Sequence, residues 1–171
     1  MEENIVIFMC HITSAVLGDK VSLKAVLAEW PTCDYQFAHA ITAPTVVRFL
    51  VGDSDNWTSP AQCQGQASAM QANNSEVSIR LFKGAYHAFG HYEPVAEMPN
   101  AMKFYTVPTT YINDQGAFLD IYTGKTILGA DDAHMRGPWG VRGTVTVGTK
   151  PGQTEAFVDD VVSFFKAQLR P

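Results

Sequence analysis

Thr45-Val46-Val47-Arg48-Phe49-Leu50-Val51-Gly52-Asp53-Ser54-Asp55-Asn56-Trp57-Thr58-Ser59-Pro60 is the stretch on which the reading of this chain turns. Thr45 to Val51 is a nearly continuous apolar run, the pattern of a strand buried on both faces of a parallel sheet. A polar turn follows, and Ser59-Pro60 marks a helix start: the serine hydroxyl can accept from an orphan amide, and proline at the first helical position loses no needed donor. The helix is expected to run to about Gln71, with Ala72-Asn73-Asn74 as its stop. Cys63, Ala67 and Met70 recur on it at helical spacing and are expected to face a sheet, Cys63 as a small core residue rather than a nucleophile. Glu76 to Phe82 then alternates as a strand and leads into Gly84-Ala85-Tyr86-His87-Ala88-Phe89. Strand, helix and strand make a right-handed crossover unit. It delivers an acid and a histidine to the C-terminal ends of two strands, the edge of an open α/β sheet where ligands bind.

Upstream, residues 4–10 read as a short buried strand, with period alone leaving a helix open, 12–20 as a turn around Gly18-Asp19, and Val21 to Trp30 as another strand ending at Pro31. Residues 31–43 read as a polar connection. Downstream, 103–107 and 117–123 are expected to pair as a hairpin around Asn113-Asp114-Gln115-Gly116, 129–143 to form a loop, and Thr144 to Val147 a short strand. The chain ends in a helix over 154–170, capped by Thr154 with Glu155 in its first turn. Phe157, Val158, Val161, Val162, Phe164, Phe165 and Leu169 give it an apolar face wide enough to need a sheet beneath it.

With 171 residues, 46% hydrophobic and 17% charged, the composition is that of one globular domain with a real core. A net charge of −5 with scattered Lys and Arg points to neither nucleic acid nor an anionic membrane as partner. No window is apolar for the length a bilayer crossing needs. Glu2 and Glu3 are acidic where a secretory signal is basic, so a cytoplasmic location is expected. Three cysteines, Cys10, Cys33 and Cys63, form neither a disulfide framework nor a zinc pattern and fit a reducing compartment. His87, His91 and Glu93 are separated by Gly90 and followed by Pro94, which prevents the helix that would align them on a metal, so no metal and no cofactor is expected. Met1 and the capped terminal helix favour a complete chain over a fragment, an expectation the sequence does not decide.

Ala43-Pro44-Thr45-Val46-Val47, Gly52-Asp53-Ser54-Asp55-Asn56-Trp57-Thr58, Pro60-Ala61-Gln62-Cys63 and Gly84-Ala85-Tyr86-His87-Ala88-Phe89 together resemble the C-terminal half of the dienelactone hydrolase family of α/β-hydrolases. The resemblance implies one truncated α/β-hydrolase-like domain over 1–171: a mostly parallel sheet with flanking helices, an atypical N-terminal strand in 1–20, a core over 21–94, and an extra hairpin and loop segment over 98–150. It implies that Asp55 is the triad acid and His87 the general base, with the rival Asp53 capping the turn. An acid of this kind holds the imidazole in the right tautomer, and the histidine takes the proton of the nucleophile. Trp57, Tyr86 and Phe89 are expected to line a small pocket for an ester or lactone.

Members of that family carry a Gly-x-Cys/Ser-x-Gly nucleophile elbow, and no such pentapeptide stands in this sequence. The nearest candidates are Ser14, between Ile12 and Val16, and Cys10, between Phe8 and Ile12, and bulky or β-branched neighbours resist that strained turn. The isolated chain is therefore expected not to be catalytic. The alternative is a carboxylic ester or lactone hydrolase whose nucleophile comes from another chain or from Cys10. Losing the nucleophile strand would also leave a long apolar sheet edge, for which a homodimer is the expected cover.

Overall fold

The computed structural model describes residues 23–40, 42, 44–104, 110–127 and 141–169. The expected strand at 4–10, the turn at 12–20, Cys10 and Ser14 lie outside the described residues. The centre is a three-stranded parallel sheet ordered β1-β3-β4, with β1 at Ala25–Glu29, β3 at Val46–Gly52 and β4 at Val77–Phe82. Helix α1, Pro60–Ala72, connects β3 to β4 as the apolar spacing anticipates. Ser59 stands at its N-cap but makes no side-chain cap bond. Instead the Ser59 carbonyl accepts from Gln62 N at 3.1 Å and Cys63 N at 3.4 Å, so the backbone satisfies these first-turn donors.

Strand alternation splits the core into two layers. Val26, Ala28, Val47, Phe49 and Val51 pack with Cys63, Ala67 and Met70 of α1. Trp30, Leu50, Phe82, Ala85 and Phe89 pack with Phe157 on the other face, under the terminal helix α2, Gln153–Gln168. Val47, Phe49 and Leu50 are completely buried, each contributing about 1.5–3 kcal/mol of transfer free energy. Arg48 points to the α2 side, where its Nη1 donates to Asp160 at 3.1 Å and its guanidinium lies 4.9 Å from the centre of the Phe164 ring.

Several expectations need correction. Residues 31–43 are not simply a connection: β2, Tyr35–Phe37, lies within them and pairs in parallel with β6, Thr110–Ile112. The hairpin around Asn113–Gly116 exists, but its strands are β6 and β7, Phe118–Asp120, because Asn113 Oδ1 accepts from Gln115 N and Ala117 N and places the turn immediately after Ile112. The strand expected at 144–147 is β8, Arg142–Val147. It pairs antiparallel with an unforeseen β5, Ala96–Met102, in a two-stranded ribbon.

Gly152, with φ 83°, is the N-cap of α2, not Thr154. The Thr154 hydroxyl turns away to donate to the His91 carbonyl at 2.6 Å. Only part of the apolar face of α2 is covered. Phe157 and Phe164 are buried, whereas Val158 and Val162 are 43% and 42% exposed, so the central sheet is narrower than the helix face that meets it.

The cysteine reading is overturned as well. Cys33, in the connection after β1, is disulfide-bonded to Cys63 of α1, with 5.0 Å between their Cα atoms. Both are buried, so Cys63 is a core residue as expected but a cross-linked one. No helix among the described residues is long and apolar enough to cross a membrane.

Candidate active site

β3 and β4 end side by side, and the turns that follow them are laced together. Asp53 N donates to the Phe82 carbonyl at 3.1 Å and Ser54 N to the Ala85 carbonyl at 3.0 Å. Asp53 Oδ1 accepts from Gly84 N and from Ser54 Oγ at 3.0 Å. Asp53 therefore holds the turn, the role set against its candidacy as the acid. The lacing needs Gly52: a Cβ there would fall 2.7 Å from the Ala85 carbonyl carbon and 3.0 Å from the Tyr86 oxygen. Only a residue without a side chain lets the two backbones meet so closely.

That approach brings together the acid and the histidine, which are far apart in sequence. His87 Nδ1 lies 2.9 Å from Asp55 Oδ2, with the Asp55 side chain fully buried and that of His87 14% exposed. Burying a carboxylate is costly unless its oxygens are satisfied. Here Oδ1 accepts from Trp57 N at 2.8 Å and Thr58 N at 2.9 Å, and Oδ2 accepts from Thr58 Oγ1 at 2.8 Å as well as from His87. A carboxylate only accepts, so Nδ1 carries the proton in the neutral ring and Nε2 keeps its lone pair. Geometrically this is an imidazole whose orientation and tautomer are set by a buried carboxylate.

The β5–β8 ribbon clamps both turns. Asn56 Oδ1 accepts from Thr146 N at 2.8 Å, Trp57 Nε1 donates to the Met102 carbonyl at 2.7 Å, and Phe104 N donates to the Trp57 carbonyl at 2.8 Å. Just past β8, Gly148 N donates to the His87 carbonyl at 2.8 Å. Gly148 has φ 99°, and a Cβ on it would stand 2.5 Å from the Pro94 oxygen, so glycine is required for this seam too. The segment over 98–150, unassigned by sequence, thus supplies the support of the histidine turn.

The expected pocket residues separate. The half-buried Trp57 ring lies 4.7 Å from the imidazole, centre to centre. Tyr86 carries Lys150 Nζ over its ring at 4.4 Å. Phe89 does not face a crevice: it is fully buried against Trp30, Phe82 and Phe157. Trp30, legible in the sequence only as a strand end, also stands beside the histidine. Its ring is 6.2 Å from that of His87 and 4.8 Å from that of His91. Its φ is 45°, and its buried Nε1 has no hydrogen-bond partner among the described residues. Ala88, directly after His87, also has positive φ, at 60°. Non-glycine residues in this region mark strain, and both lie beside the histidine. Next to Trp30, burial pushes the Glu29 carboxyl above its ordinary range, opposed by the charge of His91. His91 Nδ1 is 3.8 Å from Glu93 Oε2, and both side chains are exposed.

The family model of the dienelactone hydrolase family matches residues 10–105, which is more than half of the 171-residue chain. No match was found among curated proteins. Among solved structures, the chain is similar to a candidate dienelactone hydrolase from Klebsiella pneumoniae subsp. pneumoniae MGH 78578, with 21% identity and a TM-score of 0.33. That match covers 40% of this chain and 32% of the Klebsiella protein, so the chain spans about a third of that protein's length.

Proposed function

The chain belongs to the dienelactone hydrolase family, and from that premise we propose that it is a hydrolase-like protein in which Asp55 and His87 keep an acid–base pairing while the isolated chain does not turn over. The family implies the α/β-hydrolase fold, and a parallel sheet with a helix on each face stands at the centre of this chain. The observation that carries the proposal is the 2.9 Å Asp55–His87 contact at the ends of β3 and β4. It supports a retained acid and base. Against turnover stands the lack of a Gly-x-Cys/Ser-x-Gly elbow anywhere in the sequence. Cys63, the cysteine of α1, is spent in a disulfide and has no thiolate to offer.

Hydrolysis of p-nitrophenyl acetate tests this. The expected result is a rate for the wild-type chain within about twofold of that of His87→Ala. A working general base contributes on the order of 100-fold or more. A rate that falls by that much in both His87→Ala and Asp55→Asn would instead make the chain an ester or lactone hydrolase, its nucleophile supplied by Cys10 or by a second chain.

A homodimer belongs to the same proposal. Among the described residues β1 pairs only with β3, leaving a sheet edge of the kind natural proteins cover. Light scattering at micromolar concentration is expected to give the mass of two chains, and a monodisperse monomer removes the dimer from the proposal.

A further inference from the structure

We propose that Thr58 is the positioning residue of the Asp55–His87 pair, its hydroxyl fixing which carboxylate oxygen meets the imidazole and in what plane. The inference rests on the acid–base reading of that pair and adds a residue to it. Thr58 is 2% exposed, and it touches the carboxylate twice: its N–H donates to Oδ1 at 2.9 Å and its Oγ1 to Oδ2 at 2.8 Å. Oδ2 is the oxygen that faces His87 Nδ1. Thr58 Oγ1 itself stands 3.5 Å from Nδ1, too far for a strong bond of its own, so the ring proton is directed at the carboxylate.

The two main-chain donors explain only half of this arrangement. Trp57 N and Thr58 N both converge on Oδ1, and neither reaches Oδ2. The hydroxyl is the one group besides the imidazole that grips Oδ2 among the described residues. With it, the carboxylate plane is set before the histidine arrives. Without it, Oδ2 has the imidazole alone to orient it, and the preference of the ring for the Nδ1–H tautomer weakens. Thr58 is itself held by its backbone, which bridges to Phe104 beyond the β5–β8 ribbon.

Nitrogen-15 NMR of the labelled full chain reads this without any need for turnover, through the ratio of the Nδ1–H to the Nε2–H tautomer of neutral His87. Thr58→Val, which keeps the shape and removes the donor, is expected to lower that ratio about tenfold, the scale of one hydrogen bond to a charged group. Thr58→Ser is expected to restore it. Asp55→Asn serves as reference and is expected to abolish the preference. A ratio in Thr58→Val within about twofold of wild type, alongside a lowered melting temperature, would show a purely structural threonine and overturn the proposal. A ratio unmoved by Asp55→Asn would sink the acid–base reading itself, a separate failure. Where Thr58→Val does not fold, the wild-type chain still decides: a Thr58 hydroxyl proton too fast in exchange to be seen at low temperature is incompatible with a buried bond to Oδ2.

Discussion

Removing the Cys33–Cys63 disulfide is expected to lower the unfolding free energy by about 3–4 kcal/mol, the loop-entropy value for a closure of this length. The bond spans 30 residues of sequence, and the ring it closes contains β2, β3, the acid turn and the start of α1. In the unfolded chain it confines that whole stretch. In the folded chain it ties the connection after β1 to the helix that begins just past Asp55. Both cysteines are buried, so the Cys33→Ala, Cys63→Ala double variant loses the packing of two sulfur atoms as well as the cross-link. Urea unfolding compares it with wild type in the presence and absence of reductant. Reductant should shift the wild-type midpoint down towards that of the variant and leave the variant unmoved. Thiol titration of the denatured, unreduced protein offers a simpler check. The chain has three cysteines, and one free thiol per chain is expected. Three would mean that the bond does not form in the protein as isolated. Disulfides persist where the surroundings do not reduce them, so a reducing compartment no longer follows from the cysteine count.

Gly52→Ala is expected to cost about 3 kcal/mol or more and to separate the acid from the histidine. The atoms a new Cβ would strike are the Ala85 carbonyl and the Tyr86 oxygen, which are backbone and cannot rotate aside. Relief requires the turn after β3 to move away from the turn after β4, and that movement breaks the Ser54 N bond to Ala85 and carries Asp55 from His87. Gly65→Ala is the control. A Cβ at Gly65 meets nothing within 4 Å, and the residue lies inside α1, so alanine there should stabilise by roughly 0.5–1 kcal/mol. Thermal melts of the two variants should therefore move in opposite directions. If Gly52→Ala melts within about 2 °C of wild type, the two turns are not packed as described.

What was legible in the sequence was local. β3, α1 and β4 could be placed because a buried strand, a proline-started helix and an alternating strand each announce themselves over a handful of residues. Asp55 and His87 were legible because they close those strands. Asp53, which stands at the same strand end, was set aside only because the family pattern places the acid at Asp55, and the structure gives Asp53 the turn-holding bonds to Gly84 N and Ser54 Oγ. β5 was not legible: its residues from Ala96 to Asn100 are all exposed, Pro99 interrupts them, and there is no burial pattern to read. Thr154 carried every mark of a helix cap, yet the His91 carbonyl competed for its hydroxyl and Gly152 took the cap position.

By itself the sequence determined the strand-helix-strand unit and the acid and histidine at its ends, because hydrophobic period and turn chemistry act between near neighbours, whereas the missing elbow was legible only against the family resemblance. Only the tertiary structure decided that Cys33 meets Cys63, that the β5–β8 ribbon holds both turns, and that the Thr58 hydroxyl grips Asp55 Oδ2. Those outcomes rest on contacts between residues distant in the chain or on the orientation of a single carboxylate, and neither leaves a periodic trace in the order of the residues.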